Sequence, residues 1–255
     1  MIREAKKCVA NNIKYISPAL ENNPAKHGGC ESVASVISKS LDFERAYDEC
    51  LKRSVEFKFI PDFEAYFDGL DFGNLMTSLR ETSHLDGDVV EIGTYKGGSA
   101  SLILTYLRTI QDKRKVYFLD TYAGFTYDAA LKSADSWWAN SHDDTSMGLV
   151  NQVLGPIGHP YELVRTNVCD DPVPAAIQKI SMINIDVDLY EAVKAALVKF
   201  APLVQTHGFI VCEDYGHTPR LIGAALAVEE FLDEGARADF IKIYMESGQL
   251  LLIKK

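Results

Sequence analysis

The stretch DVVEIGTYKGGSA, Asp88 to Ala100, decides the fold. VVEIG (89–93) is a short apolar run closed by glycine, which reads as a buried strand. SASLILTYLRTIQDK (99–113) follows with helical periodicity, and Ser99 is its expected cap. A strand that turns on glycine into a helix lets backbone N–H groups approach a ligand closely. The spacing is not that of the dinucleotide fingerprint, because the glycines fall at 93, 97 and 98. The phosphate-binding G-x-x-x-x-G-K-[ST] pattern fails too, since Ser99 follows Gly98. Glu91 sets a carboxylate under the loop. That suits a ligand with hydroxyls and an ammonium better than one with a pyrophosphate. A purely structural strand–helix turn is the alternative.

Outward from this stretch the alternation repeats. KVYFLD (115–120), YELVRTN (161–167), SMINIDVD (181–188) and GFIVCED (208–214) read as strands. YEAVKAALVKFAPLV (190–204) and PRLIGAALAVEEFLDE (219–234) read as helices. The end, IKIYMESGQLLLIKK (241–255), reads as a hairpin turning at Ser247-Gly248. Such alternation predicts an α/β fold: a mostly parallel sheet covered on both faces, with one antiparallel strand from the hairpin. Residues 121–160 are long for a connection and hold both tryptophans, Trp137 and Trp138. They are expected to form a lid or substrate wall. Residues 1–84 read as an N-terminal helical extension, with helical periodicity over Val33 to Phe59 and a helix over Asp71 to Arg80. The domain proper is then 85–255.

Composition narrows the function. The chain has 255 residues, 47% of them hydrophobic, as in an ordinary globular protein. Its 36 acids against 26 bases give a net charge of −10, which argues against a nucleic-acid partner. Five scattered cysteines, none in a C-x-x-C pair, argue against a zinc knuckle or disulfide framework. The start lacks a signal-peptide pattern, and no apolar run reaches the ~18 residues of a membrane span. A cytoplasmic protein with no membrane association is expected.

Two groups of acids carry the chemistry. Asp120, at the tip of the second strand and followed by Thr121, is placed to accept the hydroxyls of a ribose. A turn cap is its alternative role. Asp186 and Asp188 end the fourth strand, and Glu213-Asp214 end the fifth. If those strands are neighbours, their tips lie ~5 Å apart. Carboxylates so close call for a cation, and all-oxygen ligands favour Mg²⁺ or a similar hard ion. Helix capping by Asp188 and a polar loop at Glu213-Asp214 is the plainer reading. His142 and His217 are candidates to face the site, though surface roles are commoner for isolated histidines.

These residues resemble the class I S-adenosylmethionine-dependent methyltransferases, and more narrowly the macrocin O-methyltransferase (TylF/MycF) family. The resemblance rests on Val90-Glu91-Ile92-Gly93 with Gly97-Gly98-Ser99, Asp120 to Phe125, Ile185 to Glu191, and Gly208-Phe209-Ile210 with Glu213 to Gly216. It implies a Rossmann-like sheet of seven strands in the order 3-2-1-4-5-7-6. It implies S-adenosylmethionine as methyl donor, a divalent cation, usually Mg²⁺, and a sugar hydroxyl on a natural product as acceptor. Carried over, Glu91, Gly93, Thr94, Tyr95, Gly97 and Ser99 would bind the methionine part and ribose. Asp120 and Thr121 would meet the ribose, and Asp170 or Asp171 the adenine. Asp186, Glu213 and Asp214 match the metal positions, with Asp186 as general base and His142 or His217 in reserve. Glu213 stands where the family often has Asp, and Thr166-Asn167 where Gly is common. A catechol-like phenol, a small molecule or a larger glycan all remain open as acceptor. So do a dehydrogenase of similar architecture and a donor-binding protein without catalysis. The N-terminal zone can either cover the donor or form the contact of a homodimer.

Overall fold

The computed structural model describes residues 69–216, 221–245 and 247–255. The extension before residue 69, its periodicity over 33–59 and His217 lie outside the described residues. The strands are β1 (Asp88–Ile92), β2 (Val116–Asp120), β3 (Glu162–Arg165), β4 (Ile180–Ile185), β5 (Val204–Cys212), β6 (Phe240–Tyr244) and β7 (Leu250–Lys254). They form one sheet in the order β3-β2-β1-β4-β5-β7-β6, the order that the family resemblance implies. The first five pair in parallel, and β7 runs antiparallel to both β5 and β6.

The helices are α1 (Gly69–Glu81), α2 (Gly98–Thr109), α3 (Asp128–Lys132), α4 (Met147–Leu154), α5 (Tyr190–Phe200) and α6 (Ile222–Asp233). Side chains alternate faces along each strand, and the two faces carry separate cores. Val89, Phe118, Met182 and Val211 pack against Leu75 and Leu79 of α1, Ile103 and Leu107 of α2, and Val150 of α4. Val90, Leu119, Ile183 and Ile210 pack against Val193 and Leu197 of α5 and Val228 of α6. Burying each such side chain contributes about 1.5–3 kcal/mol, so helices on both faces shield the sheet from solvent. Among the described residues no helix is long and apolar enough to cross a membrane.

Local boundaries differ from the sequence reading for identifiable reasons. The cap of α2 is Gly97, in the left-handed region at φ 88°, and Ser99 lies inside the helix. That helix stops at Thr109, with Gln111 at φ 58°, rather than at Lys113. Strand β4 ends at Ile185, and Asp188 turns away at φ 54°. Pro202 ends the α5 run in a tight turn at Ala201–Leu203, so β5 starts earlier than expected, at Val204. Glu213–Tyr215 form one further turn of 3-10 helix.

The later part of the 121–160 stretch, from Met147, packs into the core. Parallel strands need a crossover element, and α4 supplies it between β2 and β3. Its Ser146 side chain accepts from the Leu149 N–H at 3.1 Å as a cap. Val150, Val153, Leu154 and Ile157 are buried in the first core. The segment left to stand over the sheet edge is 121–146.

Candidate active site

Strand register builds the site. Leu119 pairs with Ile92, Ile92 with Ile185, and Ile185 with Cys212, so these four residues form one row across the sheet. The residues that follow, Asp120, Gly93, Asp186 and Glu213, therefore leave the sheet side by side at its carboxyl edge. Ligands of open α/β sheets bind at that edge.

The loop after β1 is fixed by backbone geometry. Gly93 has φ 93°, and a Cβ there would overlap the carbonyl oxygen of Asp186. The loop and the tip of β4 thus touch through bare backbone. Gly93→Ala is expected to weaken binding of S-adenosylhomocysteine at least about tenfold, because left-handed strain of about 1–3 kcal/mol adds to that overlap. Calorimetry on a variant with native circular dichroism checks this, and unchanged affinity would contradict it.

Asp120 organises the same loop. Its Oδ2 accepts from the N–H of Thr94 at 2.7 Å and of Tyr95 at 2.8 Å. Its Oδ1 accepts from the Tyr122 N–H at 2.6 Å. The Thr121 hydroxyl stands 3.4 Å from the same Oδ1. The Thr121 hydroxyl donates to the Gly124 carbonyl at 3.0 Å.

Below the loop, Glu91 is completely buried. Its Oε1 accepts from Asn184 Nδ2 at 3.1 Å, and the Ser99 side chain stands beside the carboxylate. Its Oε2 has no hydrogen-bond partner. Burial pushes this carboxyl up to about 7, against the smaller effect of Ser99 and Asn184.

Asp170 and Asp171 close a turn. Asp171 Oδ2 accepts from the Asn167 N–H at 2.8 Å, and Asp170 Oδ2 from Asn167 Nδ2 at 2.7 Å. Both acids are exposed there. Lys199 of α5 holds this turn by donating to the carbonyls of Val168, Cys169 and Asp171 at 2.6, 3.1 and 2.8 Å.

The second acidic group assembles as its strand order requires. One carboxylate oxygen from each of Asp186, Glu213 and Asp214 lies within 4.8 Å of the others. Glu213 and Asp214 are buried, and Asp186 is partly exposed at the mouth. Burial and then neighbouring carboxylates hold Asp186 and Glu213 well above the ordinary range. Asp188 belongs to the group through its backbone, donating its N–H to Asp214 Oδ2 at 2.8 Å. Oxygens of one sign so close fit a hard divalent cation, which would replace mutual repulsion with shared attraction.

Asp71 was not legible as part of this group. It is fully buried in the first turn of α1, and its charge acts on both Asp186 and Glu213. The sequence places it on a helix, but its position beside β4 and β5 depends on how α1 packs.

His142 comes to the loop side of the edge. It stands at φ 60° with Nδ1 at 2.8 Å from the Ser141 hydroxyl. Its ring packs on Tyr95, Phe125 and Trp138 with centroids at 4.6, 5.3 and 5.6 Å. Burial lowers its pKa, and the acids that act on it are Asp144 and Asp120, not the metal candidates. The 121–146 segment is tied to the loop directly. Asp144 accepts from the Tyr95 hydroxyl at 2.6 Å and pairs with the buried Lys96, and the Thr145 hydroxyl donates to the Tyr95 carbonyl.

Comparison with known proteins follows this geometry. A family model described as macrocin-O-methyltransferase (TylF) matches residues 72–245. The chain is 28% identical over 147 residues to an 8-demethyl-8-(2,3-dimethoxy-alpha-L-rhamnosyl)-tetracenomycin-C 4'-O-methyltransferase of Streptomyces olivaceus, covering 51% of this chain and 53% of that one. It is 26% identical over 156 residues to a demethyldecarbamoylnovobiocin O-methyltransferase of Streptomyces niveus, covering 54% and 56%. The chain thus spans about half the length of the curated relatives it matches. Among solved structures, the O-methyltransferase NovP superposes with a TM-score of 0.65 at 22% identity, over 73% of this chain and 81% of that one. The calicheamicin methyltransferase CalS11 superposes at 0.59 and 16% identity, over 90% and 99%. At these identities the superpositions speak for the fold.

Proposed function

The chain belongs to the macrocin O-methyltransferase (TylF) family, and from that premise we propose that it moves a methyl group from S-adenosylmethionine to a sugar hydroxyl of a glycosylated natural product or polysaccharide. The observation that carries the reading is the meeting of Asp186, Glu213 and Asp214 within 4.8 Å, with Asp186 touching the Gly93 turn through its own backbone. The two matched curated relatives are named as O-methyltransferases, one of a rhamnosyl-tetracenomycin compound and one of demethyldecarbamoylnovobiocin.

The donor supplies a methyl group on a positively charged sulfur, open to attack by an oxygen in line with the departing bond. The residues of this chain then have three tasks. The Gly93 to Gly98 turn, braced by Asp120, orients the donor against the acceptor. Glu91 offers its unpartnered Oε2 beneath that turn as a counter-charge to the donor's ammonium. Asp186 takes the acceptor's proton on a carboxylate oxygen. Asp186, Glu213 and Asp214 would hold the cation, and Asp188 braces Asp214 through its N–H. When bound, a divalent cation acts as a Lewis acid that eases loss of the hydroxyl proton.

The test is transfer of radiolabelled methyl from S-adenosylmethionine to a panel of rhamnosyl and related glycosides, with and without EDTA. Label on a sugar oxygen, stopped by EDTA and restored by Mg²⁺, is the expected result. Label on catechols alone would overturn the sugar reading. Donor binding without transfer to any acceptor would overturn the enzyme reading.

A further inference from the structure

Asp135 is a buried acid outside the donor loop and outside the three-carboxylate cluster. It is 2% exposed and stands in the 121–146 segment, where it opens the tight turn Ser136–Trp138. Its Oδ2 lies so close to Gly223, near the start of α6, that a Cβ on Gly223 would overlap it. The same Cβ would stand 2.8 Å from Tyr190 Cβ, at the first residue of α5. The carboxylate also faces the backbone amides of Tyr190 and Gly223, which lower its pKa against a larger rise from burial. Oδ2 makes no well-formed hydrogen bond. What holds the carboxylate is the pull of these two N–H groups, which belong to the first turns of two converging helices. Three residues on, the indole N–H of Trp138 faces the Asp188 carboxylate, and Asp188 in turn braces Asp214.

We propose that Asp135 and Gly223 form a clasp that seats the 121–146 segment on the α5 and α6 termini, and so fixes Trp138 as a wall of the acceptor space. Both are positioning residues, and their effect on the acceptor rests on the methyltransferase reading above. Gly223 is needed because any side chain there displaces the carboxylate. Asp135 is needed because its short charged side chain reaches both termini. With the segment lifted, the Asp144 tie to Tyr95 and Lys96 still anchors its far end to the donor loop. The loss therefore falls on acceptor binding and spares donor binding.

The only two tryptophans of the chain lie in this segment, so tryptophan emission reports on it alone. Gly→Ala inside a helix is ordinarily stabilising, so a harmless Gly223→Ala variant would gain stability and keep its emission. The clasp predicts a red-shifted emission and stronger acrylamide quenching in Gly223→Ala, with far-UV circular dichroism and S-adenosylhomocysteine affinity unchanged. It also predicts that Asp135→Ala/Gly223→Ala is no more quenched than Asp135→Ala alone, because both changes break one contact. With a rhamnosyl glycoside that the wild type methylates, the acceptor KM rises about tenfold or more in Gly223→Ala while the donor KM holds. Should Gly223→Ala fail to fold, Asp135→Asn carries the same readings. Wild-type emission and quenching in these variants would overturn the clasp. An inactive wild type would overturn the methyltransferase reading instead, with the fluorescence still deciding the clasp.

Discussion

Asp186→Asn is expected to lower methyl transfer on the order of a thousandfold, the typical scale for loss of a general base, while leaving S-adenosylhomocysteine affinity unchanged. The substitution keeps the size of the side chain and removes one charge and the proton acceptor. Asp186 touches the donor loop through its backbone carbonyl, which the change leaves in place. The ligand-free protein is expected to gain thermal stability, because burial and crowding among Asp214, Asp188 and Glu91 disfavour a charge at this position. Mg²⁺ should no longer raise the melting temperature. Single-turnover rates, calorimetry with S-adenosylhomocysteine and thermal melts check the three parts separately. Activity within about tenfold of wild type would remove Asp186 from the chemistry.

Glu91→Gln is expected to make the ligand-free protein more stable than wild type above pH 7, and no more stable at pH 4. Glu91 is raised from 4.5 to about 7 by burial. At about 1.4 kcal/mol per pKa unit, that gap corresponds to something on the order of 3 kcal/mol. The folded protein holds this proton more tightly than the unfolded chain. The associated stability is therefore complete below pH 4.5 and is lost as pH rises toward 7. Gln does not titrate, and it can still accept from Asn184. The difference between the two stability curves should open between pH 4.5 and 7 and then level off. Saturating S-adenosylhomocysteine should shrink it, because the donor's ammonium favours the charged carboxylate. Denaturant melts at pH 4, 6 and 8 measure this, and parallel curves would contradict it.

Much of this site is legible in one dimension because a parallel sheet converts strand ends into neighbours. Once strands four and five are adjacent, Asp186, Glu213 and Asp214 must meet, and they do. Gly93 and Gly97 were readable as turn residues, and both stand at positive φ. What escaped depends on packing between elements. Helix α4 carries a serine cap and an apolar face, but it was hidden inside a stretch that looked like one insertion. Asp71 reaches the acidic group only because α1 lies against the sheet. Ser99 looked like a cap because serine favours that position, yet a left-handed Gly97 moves the cap two residues upstream. The Asp135 to Gly223 contact joins residues far apart in the chain, and no local pattern announces it.

The central claim is that three carboxylates hold one divalent cation beside a bound methyl donor. Titration of Mg²⁺ into the protein saturated with S-adenosylhomocysteine, followed by calorimetry, tests it most directly. The account predicts saturable binding of one ion per chain, abolished in Asp186→Asn and weakened in Glu213→Gln. No heat and no change in melting temperature with Mg²⁺, Mn²⁺ or Ca²⁺, in a protein shown to bind S-adenosylhomocysteine, would contradict it.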